Sequence, residues 1–270
     1  MPGLFVNHIH VFPKKVRREG SPDVFAEIAA ELGIEGGVFF APFGYQWPDG
    51  DPNGWLAREL RRHRRYVGYG TLDPQKPARE QVSRIADLGL LGVKIHGPAQ
   101  HFPLHCDWIM DAYEQMERLG LVADFHLGVH GYRIKDYHPL LLDEVAHRFP
   151  ELCMVYEHVG GWHFLRDTLA VIVNHQEGGE DVRTPSGRLY AGIASVLDCE
   201  GNPAWYLGPD GVGDVAWQIG HNHLIYGTDF PYSSRERIAA DLAIIRGMGL
   251  APEAETELLG GNLRELLGLG

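Results

Sequence analysis

Two histidines separated by one residue, His8 and His10, sit in the apolar run FVNHIHVFP near the start of the chain. Residues two apart on a β-strand share a face, so both imidazoles are expected to project to one side. Imidazole is the commonest metal-ligating side chain, and a pair at a strand end leaves positions on a divalent ion for a carboxylate and water. A buried structural pair has the same spacing, so the motif alone does not decide between metal and packing. Further along, Lys94 and His96 lie in GVKIHG, His126 in LVADFHLG, His158 in CMVYEHVG and Asp229 in LIYGTDF. Taken singly, each reads as a satisfied core histidine or a buried ion pair. Together they place His, Lys or Asp at the same end of five apolar segments, which burial explains poorly. A charged group in such an interior must be paired or bind an ion. His101, His130, His138 and His163 follow these segments on loops, within reach of a substrate. His63, His105, His147 and His175 fall in helical segments and read as solvated.

The elements that position these groups alternate along the chain. Apolar runs at 4–11, 36–42, 65–72, 92–97, 121–128, 153–160, 189–195 and 224–230 are strand candidates. They are too short for helices and too apolar for half-exposed strands, as expected of a parallel sheet buried on both faces. Ser21-Pro22 opens a helix that Gly33 closes, the former pair combining a capping residue with proline at the first helical position. Helical periodicity recurs at 77–88, 107–120, 139–149 and 234–247, and from Trp162 until the chain turns polar and glycine-rich towards Gly187. This alternation predicts an α/β chain forming a single (β/α)8 barrel over residues 1–270. An open doubly wound sheet is the competitor, but no glycine-rich phosphate loop follows the first strand. In such barrels the active site is built at the carboxyl ends of the strands, where the polar residues fall.

Composition narrows the function. The 270 residues are 44% hydrophobic and 22% charged, with a net charge of −12. That balance argues against a nucleic-acid partner, which needs a basic face. The basic run Arg58, Arg61, Arg62, Arg64 and Arg65 reads as a solvated outer face. Three scattered cysteines, Cys106, Cys153 and Cys199, form neither a disulfide framework nor a paired zinc motif and fit a reducing compartment. With no signal-peptide pattern and no membrane-length apolar run, a cytoplasmic protein without a membrane partner is expected.

The ordered set NHIHVF, LGVKIHG, ADFHLG, HPLLLDEVAHRFPELCMVYEHVGG, LIYGTDFP and GGNLRELLGL resembles the amidohydrolase superfamily. The likeness is to its aminocarboxymuconate-semialdehyde decarboxylase-like and pyrone-dicarboxylate lactonase-like branch. The resemblance implies that His8, His10, His126 and Asp229 bind one divalent metal, zinc most often. It implies that His158 sits beside the ion as an acid/base or carbonyl-polarising group. Asp229 would also serve as general base towards a metal-activated water. Lys94 and His96 would face the substrate, with a buried ion pair as the alternative for Lys94. Trp162 would form an apolar wall or pack at a helix start. Lys94 is expected to stay uncarboxylated and the site mononuclear. Two departures stand out: Asn7 precedes the first histidine where an acidic or other polar residue is common nearby, and the short link after His10 leaves no room for a capping insertion. The expected activity is hydrolysis of a small lactone, ester or amide. Non-oxidative decarboxylation of an unsaturated or aromatic acid is the alternative, and a barrel that binds without turnover the third reading. The expected partner is a small-molecule substrate, with a carboxylate as one option and a homo-oligomer left open.

Overall fold

The computed structural model describes residues 3–175 and 188–269. The polar stretch 176–187, expected as a loop, lies outside the described residues. Strands β1 (Leu4–His10), β2 (Ile34–Phe40), β3 (Tyr66–Thr71), β4 (Gly92–Ile95) and β5 (Val122–His126) follow one another in the sheet. The series continues with β6 (Met154–Glu157), β7 (Leu189–Gly192), β8 (Leu224–Ile225) and β9 (Gly227–Phe230). All neighbours are parallel, and β9 pairs with β1. The last two strands are halves of one, interrupted at Tyr226. Its carbonyl accepts from Asn7 N at 2.9 Å and its N–H donates to Leu258 O at 3.2 Å. Eight strand positions therefore close into the expected (β/α)8 barrel.

Helices α1 (Pro22–Leu32), α2 (Pro52–Leu60), α3 (Ala78–Asp87), α4 (Gly97–Gln100), α5 (Asp107–Leu119) and α6 (Leu141–Arg148) separate the earlier strands. The later ones are α7 (Gly161–Asn174), α8 (Gly208–Ile219), α9 (Arg235–Gly247), α10 (Pro252–Thr256) and α11 (Asn262–Leu266). Ser21 holds the cap position of α1, although its hydroxyl makes no capping bond, and Gly33 closes the helix at φ 71°. Helix α2 ends at Leu60, so Arg64 and Arg65 fall beyond it, exposed like the rest of the basic run. Among the described residues no helix is long and apolar enough to cross a membrane.

Period-two alternation sorts the sheet into two faces. Val93, Ile95, Ala123, Phe125, Met154 and Tyr156 point outward into the layer shared with the helices. Val38, Phe40, Tyr69, Val122, Val155 and Ile225 fill the barrel, with Leu263 of α11 against the same cluster. Continuing the inward alternation of Val122 and Val155 by two residues gives Asp124 and Glu157, and two more along β5 gives His126. The barrel is thus apolar near its amino end and polar near its carboxyl end.

A candidate metal centre

Strict alternation fails where the site begins. His8, His158, Ser195 and Asp229 all adopt left-handed backbone, with φ of 59°, 59°, 56° and 54°. Such conformations cost a non-glycine residue on the order of 1–3 kcal/mol and concentrate at functional sites. At His8 the register of β1 against both neighbours shifts between flanking residues. As a result Asn7 and His8, successive in sequence, both reach the barrel interior, as do Glu157 and His158.

Three buried donor atoms converge there. His8 Nε2 lies 3.1 Å from His10 Nε2. Asp229 Oδ1 is 3.4 Å from the first and 3.8 Å from the second. The other carboxylate oxygen, Oδ2, accepts from Ser195 Oγ at 2.8 Å, which fixes the rotation of the carboxyl group. His8 Nδ1 faces Glu157 Oε2 at 2.9 Å, out of line for a hydrogen bond but placed to favour a proton on Nδ1 and a lone pair on Nε2. Burial pushes the pKa values of His8 and His10 well below the usual imidazole range, so both are neutral at pH 7. Burial pushes Asp229 up to about 7, against the pull of the Ser195 hydrogen bond. Neutral imidazoles and a carboxylate aimed at one point, with a lone pair directed at a carboxylate oxygen, are a donor set that a divalent cation satisfies.

His126 stands one step away. His158 Nδ1 lies 2.7 Å from the carbonyl of Ala194 and must donate to it. His158 Nε2 then accepts from His126 Nδ1 at 3.2 Å. The proton of His126 is thereby placed on Nδ1, and its Nε2 is a buried lone pair with no partner among the described residues. In this arrangement neutral His158 orients His126, and its one proton is engaged by the Ala194 carbonyl. His96, His126 and His130 also bring nitrogens within 4.8 Å of one another. The His96 and His126 rings, however, stack 3.8 Å apart at 14°. In-plane lone pairs of parallel rings cannot meet at one ion, so His96 serves as a plate against His126.

Two expected placements are corrected. The Lys94 side chain is fully enclosed and donates to Asp124 Oδ1 at 2.6 Å, beneath the donor atoms, so it does not face a substrate. Trp162, in the first turn of α7, is 67% exposed and makes no ring contact with the site histidines among the described residues. The indole that packs on the histidines is Trp205, 4.2 Å from His158 in a stacked arrangement and 5.1 Å from His126. Its Nε1 donates to Val129 O at 3.2 Å. A Cβ on Gly161 would come within 3.0 Å of this ring, and one on Gly128 within 3.1 Å. The second glycine of the GlyGly after His158 therefore makes room for Trp205, while the first packs against Thr168 and Phe164 of α7, roles invisible without the fold. Phe43 and Tyr232 flank His10 at 6.4 and 5.4 Å.

Purified protein is expected to take up about one divalent ion per chain. Metal must displace the proton of Asp229, so uptake should fall as pH drops below about 7, while the depressed histidines stay in their ligating form. Elemental analysis after loading at several pH values checks this. No uptake at pH 8, or uptake independent of pH, would count against the site.

No curated protein shows significant sequence similarity to the chain. Solved structures share the fold. An uncharacterised TIM-barrel protein from Bordetella bronchiseptica matches with a TM-score of 0.75 and 18% identity, covering 98% of each chain. A dihydroxybenzoic acid decarboxylase from Polaromonas sp. JS666, with bound manganese and the inhibitor 2-nitroresorcinol, matches at 0.71 and 15% identity over 100% of this chain and 98% of that one. A probable 2-pyrone-4,6-dicarboxylic acid hydrolase from Acinetobacter baumannii, with citric acid bound, matches at 0.68 and 14% identity over 98% and 99%. The sequence pattern of the amidohydrolase family matches residues 8–269, from the first histidine of the site almost to the end of the chain. The chain belongs to the amidohydrolase family of enzymes.

Proposed function

We propose that the chain is a metal-dependent hydrolase of a small carbonyl substrate, a lactone, ester or amide. The observation that carries this reading is Asp229, a carboxylate with one oxygen held by Ser195 and the other facing His8 Nε2 and His10 Nε2. His8, His10 and Asp229 would hold the ion, with the unpartnered Nε2 of His126 as a fourth donor. When bound, a divalent metal supplies Lewis acidity and lowers the pKa of water to near 7. Asp229, with one oxygen fixed by Ser195 and the other facing the ligating nitrogens, would take the proton of the attacking water. Ser195 keeps that carboxylate from turning, His158 fixes the proton of His126, and Trp205 shields both rings on one side. Zinc is the proposed ion, in keeping with two or three imidazoles and one carboxylate. A cytoplasmic enzyme with a small-molecule substrate, and with no nucleic-acid or membrane partner, fits the net charge of −12.

Decarboxylation of an unsaturated or aromatic acid is the second reading, because the full-length likeness to the dihydroxybenzoic acid decarboxylase is as good as that to the hydrolase. The product separates the two. Protein loaded with zinc or manganese is offered lactones, amides and aromatic acids in 18O-labelled water. Label in a newly formed carboxylate supports hydrolysis. Carbon dioxide release, with an acid one carbon shorter and no lactone, ester or amide cleaved, overturns it.

A further inference from the structure

Directly beneath the converging donors lie four polar side chains from four different strands: Asn7, Lys94, Asp124 and Glu157. None is more than 1% exposed. Lys94 Nζ donates to Asp124 Oδ1 at 2.6 Å. Asn7 Nδ2 donates to Asp124 Oδ2 at 2.8 Å and to Glu157 Oε1 at 2.7 Å, which spends both amide hydrogens on the two carboxylates. The amide cannot be flipped, because its oxygen would then face both carboxylates. One carboxylate oxygen remains, Glu157 Oε2, and it lies 2.9 Å from His8 Nδ1. Both atoms are buried and neither makes a well-aligned hydrogen bond among the described residues. They are a complementary acceptor and donor within hydrogen-bond distance of each other.

The backbone has been shaped around this carboxylate. A Cβ on Gly192, in the neighbouring strand β7, would come within 2.3 Å of Glu157 Oε2 and 2.5 Å of its Cδ. A Cβ on Gly227 would come within 2.8 Å of His8 Cβ. Any larger residue at either position displaces one member of the pair.

We infer that Glu157 is the positioning residue of His8, holding the imidazole proton on Nδ1 so that Nε2 is presented towards Asp229 as a lone pair. Asn7 and Gly192 hold Glu157 in turn, and Lys94 with Asp124 anchors Asn7. The inference builds on the reading of His8 as a metal ligand, where a carboxylate on the far nitrogen fixes both tautomer and ring direction. It also assigns the site's odd residue: Asn7 is the neutral bridge that lets two carboxylates share one lysine, a place a third carboxylate could not take.

The test reads the His8 tautomer by two-bond 1H–15N correlation in histidine-labelled protein, and zinc affinity by competition with a chelator. In the wild type the His8 proton is expected on Nδ1. In Glu157→Gln the new amide must point its NH2 at either Asn7 or His8, both of them donors. The proton should then leave Nδ1 for Nε2 or divide between them, and zinc affinity should fall about 10–100-fold. Gly192→Ala keeps the carboxylate and its charge but displaces it, and should shift both readouts in the same direction. A purely structural network predicts a lower melting temperature with the wild-type tautomer retained. The proposal is overturned if wild-type His8 carries its proton on Nε2, or if Glu157→Gln keeps both the wild-type tautomer and the wild-type affinity. Should Glu157→Gln fail to fold, the wild-type tautomer and Gly192→Ala decide. A wild type with the Nδ1 proton that takes up no zinc sinks the metal reading and leaves Glu157's hold on His8 standing.

Discussion

Replacing Asp229 with asparagine is expected to lower turnover by on the order of 10²–10⁴-fold while leaving the barrel folded. Ser195 will hold the amide oxygen, which turns the NH2 towards the nitrogens of His8 and His10. An acceptor facing two lone pairs becomes a donor that satisfies them, so both the base and the attraction for a cation disappear together. Stability moves the other way. Burial raises the folded-state pKa of Asp229 to about 7, whereas an unfolded aspartate titrates near ~4. Between those values the folded chain binds more protons than the unfolded one, so this group makes the protein less stable as pH rises from about 4 to about 7. Asparagine removes that loss, and the variant without metal should melt no lower than the wild type at pH 8. Steady-state kinetics, metal analysis and thermal melts check the three parts. Turnover within about ten-fold of the wild type would remove Asp229 from the chemistry.

Lys94→Met acts on the fold. Removing one partner of a buried ion pair leaves the other uncompensated, which costs about 3–5 kcal/mol. In a chain of this size that lowers the melting temperature by on the order of 10 °C. Burial pushes the Asp124 carboxyl up and Lys94 pulls it back. Without the lysine the carboxyl rises further, and a proton held only in the folded state makes stability fall as pH rises. Wild-type Asp124 itself sits at about 8, so the gap between variant and wild type should widen as pH rises above about 8. Melts across that range decide the matter. An unchanged melting temperature with a raised KM would return Lys94 to the substrate side of the site.

How much of this was legible in the sequence depends on periodicity. The eight apolar runs, the barrel they imply and the inward placement of His10, Lys94, His96 and His126 follow from counting by two. The same count puts Asp124 on the face of His126, so the partner of Lys94 was readable from ADFH once the buried ion pair was taken seriously. Asn7 and Glu157 were not readable as interior groups beside their histidine neighbours. Left-handed backbone at His8 and His158 sends successive side chains to one side, and histidine gives no warning of it as glycine would. Helix α8 was missed because Gly208, Gly211 and Gly213 dilute its apolar stripe. Trp205 sits in a turn with nothing local to distinguish it from Trp162 or Trp217. Only the stack on His158, 47 residues earlier in the chain, picks it out.

Four of the left-handed residues, His8, His158, Ser195 and Asp229, bear on how this enzyme will tolerate change. Each holds an unfavourable conformation that the surrounding sheet enforces, and Ser195 is the one outside the proposed metal and histidine groups. Laboratory evolution for heat resistance alone should drift these positions towards glycine or asparagine, which accept that backbone readily. Lineages kept under selection for turnover should hold His8, His158 and Asp229 and pay for them with substitutions elsewhere. Ser195 holds the Asp229 carboxylate and should be kept with them under that selection, so its loss becomes a record of which pressure acted, heat or catalysis.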